Sequence, residues 1–228
     1  MLLVFDALAK KHGWSYWIKR GTLLGAARHR GFMPWDTDLD IELPIKDYLE
    51  FVQRADEELP SGMILQHHTE EQKAIDKVLG QTADSNSIPN ANQMEHIYWS
   101  GKNPWNPRLR DDKSCYKYCL KVNCQWHDGI LIDMYPVILK NGRYTDHHFD
   151  PKVILKPFPL KHLKFEGFDV PVPNEWQTFL RAAYGENYMD LPPFERQRVA
   201  PEDPVPDPVH SCAELEEILE DLKISLVI

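Results

Sequence analysis

No apolar run in this chain of 228 residues approaches the length of a membrane-spanning helix. The opening Met1-Leu2-Leu3-Val4-Phe5-Asp6 is too short for a signal peptide, so a targeting segment is expected to be absent or to lie outside this chain. Basic residues are in deficit. Against 35 Asp and Glu stand 26 Lys and Arg, and the net charge of −9 argues against a nucleic-acid partner while saying nothing about a small nucleotide. Cysteine is scarce, at Cys115, Cys119, Cys124 and Cys212. The first three with His127 form a C-x3-C-x4-C-x2-H string that misses the paired spacing of a structural zinc site. We read them as ordinary thiols, with a single disulfide, and hence the compartment, left open.

What is present is globular. Hydrophobic residues make up 43%, and the length suits one domain with a core of ordinary size. We assign that domain to residues 1–195. Residues 196–228 read as a proline-rich acidic linker and an amphipathic helix over 213–223, with Leu215, Ile218, Leu219 and Leu222 on one face.

The informative stretch is 21–43. Asp36, Asp38, Asp40 and Glu42 alternate with Thr37, Leu39, Ile41 and Leu43, the period of a strand with one face in the core. A row of like charges on the other face is unfavourable, and a hard divalent cation relieves it. Before it, Tyr16-Trp17-Ile18 reads as a short strand, Gly21 as a turn and Thr22 as the cap of a helix through His29. A helix N-terminus presents unpaired N–H groups to a phosphate, and Gly21 admits close approach.

Helices are also expected over 2–12, over 47–59 and, capped by Asn174, over 175–184, with a strand at 63–65. Residues 66–113 lack periodicity and read mostly as loop, with a short helix at 71–79. Such a segment is either a substrate lid or a surface insertion. Residues 163–172 read as a hairpin turning at Glu166-Gly167. Tyr118, Leu120 and Val122 alternate and precede His127-Asp128-Gly129 and the apolar run 130–137, which together read as another hairpin. Asp133 lies alone in that run, where an unpaired charge is costly. It is a capping or edge carboxylate, or a third metal ligand, and we favour the ligand.

Gly-Thr-Leu-Leu-Gly-Ala-Ala-Arg-His, followed by Gly-Phe-Met-Pro-Trp-Asp-Thr-Asp-Leu-Asp-Ile, closely resembles the signature of the LicD family. That family includes bacterial phosphocholine transferases, fukutin and fukutin-related proteins, within the nucleotidyltransferase superfamily. Asp133-Met134-Tyr135-Pro136 and Tyr184-Gly185-Glu186-Asn187-Tyr188-Met189 resemble later parts of the same family, over roughly 14–193.

The resemblance implies an α/β (α+β) fold, a nucleotidyltransferase-like mixed sheet flanked by helices. It implies transfer of a phosphocholine or phospho-alditol group from a CDP-type donor to a glycan hydroxyl. Asp38, Asp40 and Asp133 would bind Mg²⁺ or Mn²⁺, and Gly21 and Thr22 would hold donor phosphates. From their closeness in sequence, Arg28, His29 or Arg30 could neutralise the leaving group or only complement the helix dipole, with Arg28 ahead of His29, and Trp35 reads as packing. The compartment would be the Golgi lumen, for part of a secretory-pathway protein, or the cytoplasm. An inactive relative serving as a binding protein is the alternative. A calcium-loop reading of 36–47 fails, because Ile41 and Asp47 stand where the loop needs Gly and Glu.

Overall fold

A computed structural model of the protein describes residues 1–66, 107–115, 129–144, 154–197, 207–214 and 217. In chain order the elements are α1 (Leu2–His12), β1 (Trp17–Ile18), α2 (Arg20–Arg28), β2 (Leu39–Pro44) and α3 (Ile45–Glu58). Then follow β3 (Met63–Gln66), β4 (Arg108–Asp111), β5 (Leu131–Val137), β6 (Lys161–Phe165), β7 (Phe168–Val172) and α4 (Trp176–Tyr184).

β1 to β5 form one mixed sheet in the order β1-β2-β5-β4-β3. β2 and β5 run parallel at its centre, and the other pairs are antiparallel. β6 and β7 make a separate hairpin that packs on β1 and α2. The expected mixed sheet flanked by helices is what the chain adopts.

The core follows from the apolar periodicity. Phe5 of α1 meets both Tyr16 and Phe51 edge to face, with ring centroids 5.2 Å apart in each case. Each such pair stabilises by about 0.5–1.5 kcal/mol beyond its buried area. Gly13 ends α1 in the left-handed region at φ 74°, behind Lys10, Lys11 and His12, whose charges suit the helix C-terminus. Lys11 and His12 then reach Glu58 at the end of α3, at 2.7 and 2.8 Å.

Several expectations change. β2 begins at Leu39, so Asp36 and Asp38 belong to the preceding loop, and the acidic face of β2 is covered rather than open. Glu42 is wholly buried. Lys19 Nζ pairs with it at 2.6 Å, Trp17 Nε1 donates to it at 2.6 Å, and the Tyr144 hydroxyl donates as well. α2 begins at Arg20 with Lys19 as N-cap, so Thr22 lies inside the helix and is not its cap. Asn174 is not a cap either, since α4 starts at Trp176 after Glu175. Residues 108–111, read as loop, are strand β4, while 67–106 with the helix expected at 71–79 lie outside the described residues. β5 pairs with β2 along its length and with β4 over Leu131–Asp133, and the expected hairpin partner of the run 130–137 is residues 118–122. Those residues, with Cys119, Cys124 and His127, also lie outside the described residues.

The thiol reading fails at two positions. Cys115 and Cys212 form a disulfide across 97 residues of sequence, joining the end of β4 to the segment after the proline-rich stretch. A backbone bridge from Cys115 to Asp207 reinforces the junction. Most of the helix expected over 213–223 lies outside the described residues. Among the described residues, no helix is long and apolar enough to cross a membrane.

Closing a loop of this length removes much unfolded-state entropy. Reduction, or Cys115→Ser with Cys212→Ser, is therefore expected to cost about 2–4 kcal/mol. Thermal unfolding with and without reductant checks this, and equal midpoints would show that the bridge does not hold the fold. Glu42→Ala removes the buried carboxylate that Lys19, Trp17 and Tyr144 all reach and is expected to cost about 3–5 kcal/mol in chemical denaturation.

Candidate functional site

Parallel pairing of β2 with β5 sets Asp40 opposite Asp133, 93 residues apart in sequence. Both are 6% exposed. Asp38 joins them from the loop before β2, and one carboxylate oxygen from each of the three lies within 4.8 Å of the others. An all-oxygen set of this kind suits a hard cation such as Mg²⁺ or Mn²⁺ and is poorly matched to soft metals.

The surrounding groups hold these carboxylates without cancelling their charge. Arg108 of β4, buried beside them, pairs through Nε with Asp133 Oδ1 at 2.5 Å. The Tyr135 hydroxyl donates to Asp40. Thr22 Oγ1 accepts from the Asp40 backbone N–H at 2.9 Å and ties α2 to the strand. Arg20 starts α2 with φ 47°, in the left-handed region that side chains rarely adopt, and its guanidinium stands 4.8 Å from the Tyr135 ring centroid.

The net balance is repulsive. Burial, then Asp38 and Asp133, push the Asp40 carboxyl well above the usual range, against Arg20 and the Tyr135 hydrogen bond. Burial raises Asp133 too, in spite of Arg108. Burial and the neighbouring Asp38 carry Asp36 to about 7. Its carboxylate packs against Gly21, where any Cβ would collide with it. The close approach that Gly21 permits is thus made by Asp36.

Of the residues singled out in the sequence, Asp38, Asp40 and Asp133 meet. Thr22 supports Asp40 from inside α2. Arg28 stands eight residues beyond Arg20, roughly 12 Å along the helix by its rise. Its guanidinium donates to the carbonyls of Tyr188 and Asp190 at 3.2 and 2.8 Å and lies over Trp35. Arg20, Arg108, Tyr135 and Tyr184 went unremarked in the sequence as site residues. Tyr184, 44% exposed, is raised by desolvation of its hydroxyl and then by the charges of Asp40, Asp36 and Asp38. Only the lone position of Asp133 in an apolar strand hinted that a cation such as Arg108 stood nearby.

The sheet brings together three acids that could hold a metal ion, with Arg20 and Arg108 beside them. Comparison with known proteins carries this further. Residues 13–89 match the model for the LicD/FKTN/FKRP nucleotidyltransferase domain, so the chain is similar to the LicD family as the signature indicated. The lipopolysaccharide cholinephosphotransferase LicD of Haemophilus influenzae is 46% identical over 48 residues, 21% of this chain and 18% of that protein. The human ribitol 5-phosphate transferase FKRP is 26% identical over 190 residues, 80% of this chain. The chain spans 30% of the length of that relative.

The raised carboxyls of Asp36, Asp40 and Asp133 contribute a pH response to the metal-free protein. Their folded pKa values exceed the ordinary 3.8, so the folded state holds protons that the unfolded state has lost, and stability falls as pH rises from about 4 toward about 7. Glu58, lowered to about 2 by His12 and Lys11, acts in the opposite sense at the acid end of that window. Asp47, raised by burial, adds to the fall, and His29, lowered by burial and Arg28, opposes it below its ordinary 6.5. Mg²⁺ or Mn²⁺ is expected to flatten the fall, and Asp38→Asn to raise metal-free stability by about 1 kcal/mol while abolishing the metal response. Thermal unfolding against pH, with and without Mg²⁺, reads both. A midpoint that climbs from pH 4 to 7 without metal would contradict the assignment.

Proposed function

We propose that the chain carries the active site of a metal-dependent phosphotransferase. It would move a phosphocholine or phospho-alditol group from a CDP-linked donor to a glycan hydroxyl. The observation that supports this best is the meeting of Asp40 and Asp133, set opposite each other by the β2–β5 register, with Asp38 from the preceding loop.

In the proposed reaction the acceptor oxygen attacks the distal phosphorus of the donor. A new O–P bond forms, the bridging P–O bond breaks, CMP departs, and the hydroxyl proton is released to water. A bound Mg²⁺ or Mn²⁺ supplies charge neutralisation and polarises the phosphoryl oxygens. Asp38, Asp40 and Asp133 would hold the ion, and Arg108 would fix the Asp133 carboxylate. Arg20, beside the acids at the start of α2, would face the donor phosphates together with the N–H groups near Gly21. Thr22 would act through Asp40 rather than on phosphate. Arg28 would anchor residues 188–190 rather than touch the leaving group.

The Cys115–Cys212 bridge supports an oxidising compartment, such as the secretory lumen, over the cytoplasm. The similar proteins are named for transfer of choline phosphate or ribitol 5-phosphate, which supports the transferred group without choosing between them.

A thermal-shift series with CDP, CTP, ATP and GTP, each with and without Mg²⁺, tests the reading. CDP or CTP with Mg²⁺ is expected to stabilise by about 2.7 kcal/mol at a hundredfold excess over Kd, and Asp38→Asn to lose the effect. Preference for a purine nucleotide would remove the CDP donor. No response to any nucleotide would favour a non-catalytic binding protein.

A further inference from the structure

Four side chains share one face at the centre of the sheet. The β2–β5 register sets Asp40 opposite Asp133 and Glu42 opposite Tyr135, so three acids and one phenol form a square. Tyr135 is 8% exposed. Its hydroxyl donates to Asp40, diagonally across the square. Two consecutive cations lie over its ring, Lys19 Nζ at 4.5 Å and the Arg20 guanidinium at 4.8 Å from the centroid.

Neighbouring residues at a helix start diverge by about 100° around the axis, so two cations on one ring need a cause. Arg20 supplies it. Its φ of 47° turns the backbone through the left-handed region, a strain that persists only where surrounding contacts impose it. The two cations then serve different acids. Lys19 pairs with Glu42 at 2.6 Å, and its N–H donates to the Asp40 carbonyl at 3.0 Å. The Arg20 charge falls instead on Asp40, Asp133 and Tyr184, which it draws downward against burial. A ring face attracts a guanidinium without taking up any of its N–H donors.

We propose that Tyr135 is a positioning residue with two handles. Its ring holds Arg20 beside the acidic cluster, where a metal-bound phosphate would meet the guanidinium, and its hydroxyl sets the Asp40 carboxylate toward the ion. The role rests on the phosphotransferase reading, since only there do Arg20 and Asp40 have a phosphate and a metal to act on. Holding the Arg20 side chain before the phosphate arrives removes an ordering cost from binding.

Tyr135→Phe keeps the ring and removes the hydroxyl, and Tyr135→Met removes both. Mn²⁺ affinity, read from the EPR signal of the free ion, is expected to fall roughly tenfold in both variants, the usual effect of losing a partner that orients a metal ligand. CDP affinity at saturating Mn²⁺, read by calorimetry, is expected to stay within about twofold in Tyr135→Phe and to fall roughly tenfold in Tyr135→Met. Arg20→Gln separates a role through Arg20 from loss of packing. It is expected to weaken CDP roughly tenfold in the wild type and less than about threefold in Tyr135→Met, a coupling that a merely structural role would not produce. Unaltered Mn²⁺ affinity in Tyr135→Phe, or additive effects of Tyr135→Met and Arg20→Gln, would overturn the proposal. Tyr135→Phe is nearly isosteric and decides the first point by itself if Tyr135→Met does not fold. Wild-type binding of Mn²⁺ and CDP that the variants leave unchanged overturns the role of Tyr135 alone. A wild type that binds neither overturns the phosphotransferase reading and this role with it.

Discussion

Two like charges set side by side on adjacent parallel strands, almost out of water, constrain everything around them. Asp40 and Asp133 occupy that position because Leu39, Ile41 and Leu43 must enter the core, and their register with Ile132, Met134 and Pro136 leaves no alternative. A slip by one residue would bury the wrong set on both strands. The apolar face thus specifies a repulsion on the acidic face, and burial magnifies it. The neighbouring acid on the same face is treated differently. Glu42 receives an ammonium, an indole N–H and a phenol, a full complement for a buried carboxylate. Asp40, two residues earlier, receives a phenol and the Arg20 charge, which do not offset burial and the neighbouring Asp38 and Asp133. One acid is paired within the fold and the other keeps a net repulsion.

Asp38 and Asp36 are not on the strand, so their placement depends on how the loop from His29 to Asp38 is held. Two distant segments hold it. At the hairpin tip, Glu166 donates its N–H to the Arg30 carbonyl at 3.0 Å and accepts from the Phe32 N–H at 2.9 Å through its carboxylate. Gly31 between them leaves room for that carboxylate, since a Cβ there would strike it. On the other side, Arg28 grips the carbonyls of Tyr188 and Asp190. The third carboxylate therefore reaches the cluster through contacts more than 130 residues away in sequence. Arg28 thus bears on the cluster only through the loop. It fixes the base of the loop that carries Asp38.

Periodicity made β2, α1, α3 and the β6–β7 hairpin legible, because local pattern and tertiary role agree there. It also singled out Asp133, since a charge inside Leu-Ile-Asp-Met-Tyr needs a reason. It could not tell Glu42 from Asp40. Both are acids in one alternating row, and only tertiary partners from residues 17, 19 and 144 separate them. Arg108 was hidden for a related reason. β4 is four residues long with a polar sequence, and its strand character comes from pairing with β3 and β5 rather than from propensity. The cap assigned to Thr22 failed because its hydroxyl found a better use as acceptor for the Asp40 N–H. The disulfide was unreadable because cysteines 97 apart carry no spacing signal.

That disulfide lies closer to the chemistry than its sequence position suggests. Cys115 follows Ser114, whose hydroxyl donates to the Asp111 carbonyl at 2.9 Å and accepts from the Ile130 N–H at 2.8 Å. These bonds close the join between β4 and β5 on the side where Arg108 pairs with Asp133. The covalent tie to Cys212 and the Asp207 bridge pin that join to the C-terminal segment. An Arg held at 2.5 Å from a carboxylate fixes its orientation only as well as its own strand is fixed, and β4 is short and near the sheet edge. The crosslink therefore does for Arg108 and Asp133 what the Glu166 and Arg28 contacts do for Asp38. Each carboxylate of the cluster is positioned by a separate long-range constraint, so the site exists only in the closed fold.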